Sequence, residues 1–387
     1  MRQILLLVMK NCVRNKVRTL LTVLGISVGV IAFAFLQTVL SAYYAGAEAS
    51  SPNRLVTRHR VSLFNLLPLS QKEKIEQIDG VKQVSWGLWF GAYYQDPKQF
   101  FGQIGVDNGM WDVYPEFILE PAQREAFNND LQGAVVGRKL AKRFGWKLGD
   151  RITLTGTIFS GDWDFIISGI YTGRERTTDE TAMYFHWKLV DERLQAAGRG
   201  SQVGWWVVGV NDPSQAGRIS KDVDDLFLNS SSPTLTETEK DFQLSFVAMM
   251  GTIITIIKMA AWIVIGIILL IMANTMAMAA RERVTEYGVL KTLGFGARHL
   301  AWLIGGEALL VSFIGALVGC TIAFGLIALV GGFVEENMGQ IFPIFEMTTM
   351  IILQAIGLAM LAGLAACLAP MTRAIRIPIA SALRKVG

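Results

Sequence analysis

The sequence predicts an α-helical membrane protein with four transmembrane helices and an external α+β domain inserted between helices one and two. The 387-residue chain is 52% hydrophobic and its mean hydropathy is +0.39, which is too apolar for an ordinary soluble protein. Four runs without a charged residue, 20–40, 259–280, 308–334 and 347–371, are each long enough to cross a bilayer as a helix. Residues 43–243 have instead the mixed composition and frequent turn signals of a soluble domain.

The distribution of charge predicts the orientation in the membrane. Lys and Arg outside the large domain lie mainly beside the apolar runs, in residues 1–18, 281–298 and 371–387, and short basic segments of this kind stay in the cytoplasm. Residues 335–346 contain Glu but no Lys or Arg, so this loop and, by parity, residues 43–243 lie outside. We therefore expect a multi-pass protein of the inner (cytoplasmic) membrane whose large domain lies in the periplasm or outside.

Each segment of the chain has a place in this predicted order. Residues 1–18 form a cytoplasmic segment, 19–42 transmembrane helix one, 43–243 the external domain, 244–280 a stalk and transmembrane helix two, 281–298 a cytoplasmic helix, 299–334 transmembrane helix three, 335–346 an external loop, 347–370 transmembrane helix four and 371–387 a cytoplasmic tail. The alternation of strand and helix patterns within the external domain predicts two small α+β subdomains, the second inserted in the first.

The cytoplasmic helix comes from the stretch RERVTEYGVLKTLGFGARHL, residues 281–300. Apolar residues recur at every third position from Val284 to Leu293, and Gly294 is placed to end the helix. The polar face would carry Arg283, Glu286 and Lys291. One interpretation is a helix that lies on lipid headgroups. The other is a short rigid helix, held by two membrane spans, that transmits a push from a cytoplasmic partner.

Motifs for catalysis and metal binding are missing from the sequence. It contains no phosphate-binding P-loop, no H-E-x-x-H and no G-x-S-x-G. The three histidines, His59, His186 and His299, are scattered without metal-ligand spacing. No basic patch with interleaved aromatic residues indicates nucleic acid binding. We expect no enzyme activity, no catalytic residue, no metal and no cofactor in this chain.

A few polar and small residues stand out within the apolar runs. Glu307 lies near the cytoplasmic end of helix three, where a carboxylate would bind the backbone or an Arg of a neighbouring helix. This contact would serve either structure or coupling. Two G-x-x-x-G pairs, Gly25 with Gly29 and Gly315 with Gly319, predict close helix packing, either within one subunit or in a dimer.

Aromatic residues are concentrated near the start of the external domain. The group includes Trp86, Trp89, Phe90, Tyr93 and Tyr94. Such a cluster forms either an apolar surface for a substrate or partner, or the core of a small domain. Both alternatives are compatible with the sequence.

The cytoplasmic stretch resembles the E-R-x-x-E-[IY]-G-[IV]-x-[KR]-[AT]-[LM]-G pattern of the FtsX/MacB-type ABC transporter permeases, the type VII or mechanotransmission class. The matching positions are Glu282, Arg283, Glu286, Tyr287, Gly288, Val289, Lys291, Thr292, Leu293 and Gly294. Residues 15–30, 305–319 and 370–387 resemble the family's N-terminal pattern, the start of its third helix with Glu307, and its C-terminal tail. In the external domain, residues 133–156 are the best match.

The resemblance implies an architecture and a set of partners. An amphipathic helix over residues 1–18 would precede helix one, and the external domain would be of the porter-plus-Sabre kind. Residues 281–298 would be the coupling helix that docks on an ATPase, through Glu282, Arg283, Glu286, Tyr287, Gly288, Lys291, Leu293 and Gly294. Because this chain has no P-loop, a separate ATPase subunit would bind ATP and Mg²⁺. A second permease copy would complete a homodimer in the lipid membrane, and members often work with a periplasmic adaptor and an outer-membrane channel.

Three functions follow from this resemblance. The first is a permease that couples ATP hydrolysis by its partner to efflux, or to extraction of a substrate from the periplasm or outer leaflet, by mechanotransmission. The second is a lipoprotein-releasing permease of the Lol kind. The third is an FtsX-like regulator that activates a cell-wall hydrolase and transports nothing.

Overall fold

The computed structural model describes residues 14–378 apart from residues 100, 197, 199 and 340. Most of the predicted cytoplasmic segment 1–18 and the end of the tail 371–387 lie outside the described residues. The helices, in chain order, are α1 (Lys16–Glu48), α2 (Lys72–Glu76), α3 (Met110–Val113), α4 (Pro121–Asn129), α5 (Arg138–Phe144), α6 (Trp187–Ala196), α7 (Ala216–Phe227), α8 (Glu239–Met249), α9 (Gly251–Glu282), α10 (Val284–Thr292), α11 (Ala297–Met338) and α12 (Thr349–Arg376).

The strands all lie between α1 and α8. They are β1 (Arg54–His59), β2 (Leu67–Pro68), β3 (Val81–Trp89), β4 (Ala92–Tyr93), β5 (Gln103–Val106), β6 (Phe117–Ile118), β7 (Gly133–Gly137), β8 (Arg151–Gly156), β9 (Gly161–Gly173), β10 (Met183–His186), β11 (Gln202–Val203), β12 (Trp205–Val210) and β13 (Thr234–Thr238).

The chain divides into two compact units, which are described separately. The helical unit comprises Met1–Ser41, Gly251–Gly331 and Glu346–Gly387, and the sheet unit comprises Ala42–Met250 and Gly332–Phe345. Among the described residues, α1, α9, α11 and α12 are long and apolar enough to cross a membrane. This confirms the four predicted spans, with α1 preceding the α/β domain.

One mixed sheet organises the sheet unit. Its strand order is β13-β1-β12-β3-β5-β10-β7-β9-β8-β4, with β6 paired to β9. The β5–β10 and β7–β9 pairs are parallel, and the other pairs are antiparallel. Strands from both ends of the domain sequence, β13, β1, β12 and β3, are neighbours, and strands from its middle continue the sheet. The middle is thus nested between the ends, and one continuous sheet joins the two parts.

The spacing of apolar residues explains which side chains of the strands and helices are buried. Along β9, alternate residues Trp163, Phe165 and Ile167 are buried, as expected for a strand with one face on the core. In α7, Ile219, Val223 and Phe227 recur every fourth residue and are buried on one helical face. The predicted loop 335–346 is partly helical, because α11 continues to Met338.

Candidate functional site

The coupling segment, residues 281–298, is named for the role that the resemblance implies. It contains the end of α9, the connecting residue Arg283, the whole of α10 and the turn into α11. Gly294 has φ +90°, and its N–H donates to Lys291 O at 3.1 Å. A left-handed residue with such a bond ends a helix, and glycine adopts it without strain. The turn brings the chain directly into the third long helix.

The first residues of the described chain bind the acidic side chains of the coupling segment. Arg18 Nη1 lies 2.5 Å from Glu282 Oε2, and Asn15 Nδ2 donates to the same oxygen at 3.1 Å. Arg14 Nη1 lies 2.6 Å from Glu286 Oε1. Because exposed ion pairs contribute only about 0–1 kcal/mol each, these contacts orient the coupling segment on the start of the described chain more than they stabilise the fold.

Arg283 and Glu307 form a buried ion pair. The Nη1–Oε2 distance is 2.6 Å, and the two side chains are 4% and 9% exposed. The spacing of the sequence predicts Arg283 on the polar face of the cytoplasmic helix, and that prediction is wrong. Arg283 occupies the break between α9 and α10, with φ −105° and ψ 13°, where the helical periodicity used for the prediction does not hold. Of the two partners considered for Glu307, the structure shows the arginine.

Lys291 joins the coupling segment to the last membrane helix. Its Nζ donates to Ile375 O and Ile377 O, each at 2.8 Å. These carbonyls lie at the C-terminal end of α12, where a helix lacks internal donors and attracts a positive charge. Lys291 therefore caps α12 from a distance of 84 residues in sequence.

The remaining residues of α10 divide between a buried and an exposed side. Tyr287 and Gly288 are buried, and burial raises the pKa of Tyr287 to about 12. Val289 is 44% exposed and Leu293 is 70% exposed. The predicted apolar stripe is thus split, because Tyr287 is buried within the helical unit and Leu293 is exposed on its surface.

Both G-x-x-x-G pairs are packed against helices of the same chain. A Cβ at Gly25 or Gly29 would meet Ile271 or Ile268 of α9. A Cβ at Gly315 would lie 2.8 Å from Ile26 Cβ, and one at Gly319 would lie 2.8 Å from Ser27 O. Ser27 Oγ also donates to Gly315 O at 2.9 Å. Contacts within one subunit therefore account for both motifs.

The five aromatic residues of the predicted cluster lie in several different environments. Trp86 and Trp89 line a cavity of the sheet unit. Phe90 is completely buried and touches Trp163, Phe165 and Phe185, so it belongs to the core and not to a surface. Tyr94 packs edge-on against Phe144 and Trp146. Tyr93 is half-buried in the short strand β4.

A charged network that sequence reasoning missed lies beside the same cavity. Arg54 Nη1 and Nη2 bind the two Glu116 oxygens at 3.0 and 2.6 Å, and its Nε donates to Glu239 Oε2 at 2.9 Å. The Tyr114 ring centroid is 4.3 Å from the guanidinium. Burial raises the pKa of Glu239, and the charge of Arg54 partly offsets this effect. The local indication of this network in the sequence was an arginine at the start of an apolar strand. The partners of this arginine lie 62 and 185 residues away.

In the described part of the chain, no group of three or more His, Cys, Asp or Glu residues is arranged to hold a metal ion. The MacB-like periplasmic core domain matches residues 19–226, more than half of the chain, and the FtsX-like permease C-terminal region matches residues 258–379.

Two curated relatives are ABC transporter permeases described as uncharacterized. One, from Mycobacterium tuberculosis, is 23% identical over 276 residues, which are 68% of this chain and 30% of that protein. The other, from Methanocaldococcus jannaschii, is 22% identical over 351 residues, 86% of this chain and 85% of that protein. The chain therefore spans less than a third of the mycobacterial relative and most of the archaeal one.

Two solved structures with similarity to the chain are the periplasmic or extracellular parts of transporters. The periplasmic region of MacB from Actinobacillus actinomycetemcomitans has a TM-score of 0.37 and 15% identity, covering 51% of this chain and 92% of that one. The extracellular domain of YknZ, a noncanonic ABC-type transporter from Gram-positive bacteria, has a TM-score of 0.36 and 15% identity, covering 48% and 99%. On the two family matches, the chain belongs to the MacB/FtsX family of ABC transporter permeases and is a multi-pass inner-membrane protein with an external domain.

Proposed function

We propose that this chain couples ATP hydrolysis in a separate ATPase subunit to motion of its own external domain by mechanotransmission. The motion drives efflux, or extraction of a substrate from the periplasm or outer leaflet. The ATPase binds ATP and Mg²⁺, and the permease works as a homodimer. A periplasmic adaptor and an outer-membrane channel are the further partners to be sought.

The observation that supports coupling is the attachment of one short helix to three membrane helices. The coupling segment contacts α1 through Glu282, the residue Arg14 before α1 through Glu286, α11 through Arg283, and α12 through Lys291. It is also continuous with α9 across a single residue. A displacement of α10 is therefore passed to all four spans by charged contacts or by the chain itself.

The exposed side of α10 supports a docking role. Val289 and Leu293 expose apolar surface at the edge of a segment that otherwise binds its neighbours tightly. A contiguous exposed apolar patch rimmed by polar residues is typical of a protein contact. In this proposal it is the contact for the ATPase.

Affinity capture of the full-length protein from its native membrane tests the partner. We expect a P-loop ATPase to be recovered, and expect Leu293→Asp to lose it. Leu228→Asp is the matched control, since Leu228 is 50% exposed but lies in the sheet unit. Failure to recover any ATPase would contradict the proposal. Recovery of a cell-wall hydrolase or a lipoprotein carrier with the ATPase would favour the regulator or the Lol-like function.

A charge swap tests coupling in the captured complex, reconstituted in nanodiscs. Arg18→Glu and Glu282→Arg should each lower the substrate-stimulated ATPase rate by about fivefold, which corresponds to roughly 1 kcal/mol. The double variant should recover most of the rate, because the pair is restored with reversed polarity. Lys188→Glu, an exposed charge reversal in α6, should leave the rate unchanged. A double variant no better than the singles would argue against the Arg18–Glu282 contact as part of coupling.

A further inference from the structure

The sheet unit contains an open cavity of about 840 Å³ whose lining residues all belong to that unit. Its walls include nine aromatic side chains, among them Trp86, Trp89, Tyr114 and Trp205. Small-molecule sites are concave, mostly apolar and of about 300–1,000 Å³. The cavity therefore has the size and the wall chemistry of a site for an apolar molecule.

The charges of the lining are unbalanced. Its arginines are Arg54 and Arg174, and its carboxylates are Glu116, Glu175, Asp179 and Glu239. The lining contains no Lys or His. Carboxylates therefore outnumber guanidinium groups by two among the described residues around the cavity, although the sequence as a whole has a net charge of +4.

The arrangement of Arg54 shows that it does not cancel this excess. The side chain is 7% exposed and binds two carboxylates at once, Glu116 through both of its outer nitrogens and Glu239 through Nε. One positive charge is thus shared between two negative ones in a site shielded from water, where charges interact more strongly than in solvent. A bound cation would complete the balance, whereas an anion would add to the repulsion.

Aromatic walls and a negative excess favour the same kind of ligand. The faces of Trp and Tyr rings attract cations, most strongly when the contact is shielded from water. The Tyr114 ring already packs against the Arg54 guanidinium in this way. We propose that this cavity binds an apolar organic cation. The inference rests on the proposed transport function, for which it names a class of substrate.

Direct binding to the full-length protein tests the inference without the ATPase. The protein is placed in nanodiscs of zwitterionic lipid, and tetraphenylphosphonium binding is measured by equilibrium dialysis against empty nanodiscs. We expect saturable binding in excess of the lipid background. Tetraphenylborate, an anion of the same shape, should show no such excess. Absence of saturable tetraphenylphosphonium binding, or equal binding of the anion, would overturn the inference.

Variants locate the binding in the cavity. Trp89→Ala and Glu116→Gln should each weaken binding by about tenfold, within the range expected for cation–π and charge contacts shielded from water. Glu175→Gln is an exposed carboxylate variant that spares the Arg54 network and should weaken binding by about twofold. Glu125→Gln, exposed on α4 and outside the lining, is the control and should bind normally.

Unchanged binding in Trp89→Ala, Glu116→Gln and Glu175→Gln together would place the probe elsewhere and refute the inference. The result is independent of coupling. Arg18→Glu should impair ATPase stimulation and leave tetraphenylphosphonium binding intact. If binding fails while the ATPase still associates and is regulated, only the substrate class is wrong.

Discussion

Arg283 and Glu307 illustrate how burial decides the role of a single residue. Each is an ordinary charged side chain in the sequence, yet the pair is enclosed where α9, α10 and α11 meet. Removing two charges from water costs several kcal/mol each, and their attraction returns this only with good geometry. The role of the pair is therefore to position the start of α10 against α11, and not to stabilise the fold.

This explanation predicts a separation of stability from coupling. Glu307→Gln leaves Arg283 buried without this carboxylate and should destabilise the protein by about 3–5 kcal/mol. The double variant Arg283→Met with Glu307→Leu should recover most of that loss, as apolar replacements of buried pairs do. Unfolding in mixed micelles with increasing SDS measures both, and the ATPase rate of the complex measures coupling. Stability recovered without coupling is the expected result; recovery of both would contradict a positioning role.

His186 is a second residue whose environment predicts a measurable effect. Burial lowers its pKa below the usual 6.5, although the bond from Nε2 to Phe127 O, at 2.6 Å, and the charge of Asp130 partly offset this. The unfolded chain therefore takes up this proton at a higher pH than the folded domain does. The contribution of His186 to stability is present above about pH 6.5 and is lost as the pH falls through the lower folded pKa.

Thermal unfolding of the sheet unit, followed by tryptophan fluorescence in the intact protein, checks this sign. The midpoint should drop between about pH 7.5 and pH 5.5, and the drop should be smaller in His186→Gln. Gln keeps an N–H donor for Phe127 O but does not titrate in this range. An equal drop in both proteins would show that other groups dominate the acid response.

Among the elements, α11 contains glycines in different packing environments. Gly315 and Gly319 face α1 at distances that exclude a methyl group, whereas a Cβ at Gly325 of the same helix would meet nothing within 4 Å. The close approach allows the Ser27 hydroxyl to donate to Gly315 O across the interface. Small residues thus determine how closely α1 and α11 pack.

Two matched substitutions test this packing. Gly319→Ala places Cβ against Ser27 O and Val30, and should destabilise the protein by about 1–3 kcal/mol through overpacking. Gly325→Ala enters open space and should be neutral or stabilising, by up to about 1 kcal/mol, because alanine favours helix. SDS unfolding midpoints compare the two variants. Similar losses of stability at both positions would mean that the glycines matter for the backbone conformation of α11 and not for its contact with α1.

For the whole molecule, the chain path predicts which surfaces reagents can reach in intact cells. Ser214 in the sheet unit and Thr292 in the coupling segment are both exposed, and the predicted orientation places them on opposite sides of the membrane. In a variant without Cys12, Cys320 and Cys367, a membrane-impermeant maleimide should label Ser214→Cys in intact spheroplasts. Thr292→Cys should react only after permeabilisation. Labelling of both positions before permeabilisation would contradict the orientation.

The four spans and the external domain were predictable from the sequence, and the same kind of local signal predicts the side of the membrane on which the coupling segment lies. Hydropathy over about 20 residues and the placement of Lys and Arg are local, additive properties, so they need no knowledge of neighbours. The helix boundaries of α11 were less predictable, since its last turn lies in the sheet unit. There Glu335 and Glu336 pair with Lys139 and Lys142 of α5.

Only the tertiary structure decided which charges are buried together and which aromatic residues line the cavity. Glu307 meets Arg283 across 24 residues, and Arg54 meets Glu239 across 185, distances over which no periodicity in the sequence carries information. Phe90 and Trp89 are adjacent in sequence, yet Phe90 is in the core and Trp89 lines the cavity. Trp89 ends β3, and Phe90 still donates its N–H to Gln103 O of β5, so the side chains of the two residues point to opposite faces as they do along a strand. Local patterns determine what can cross a membrane. Which side chains contact each other depends on how strands and helices pair in space.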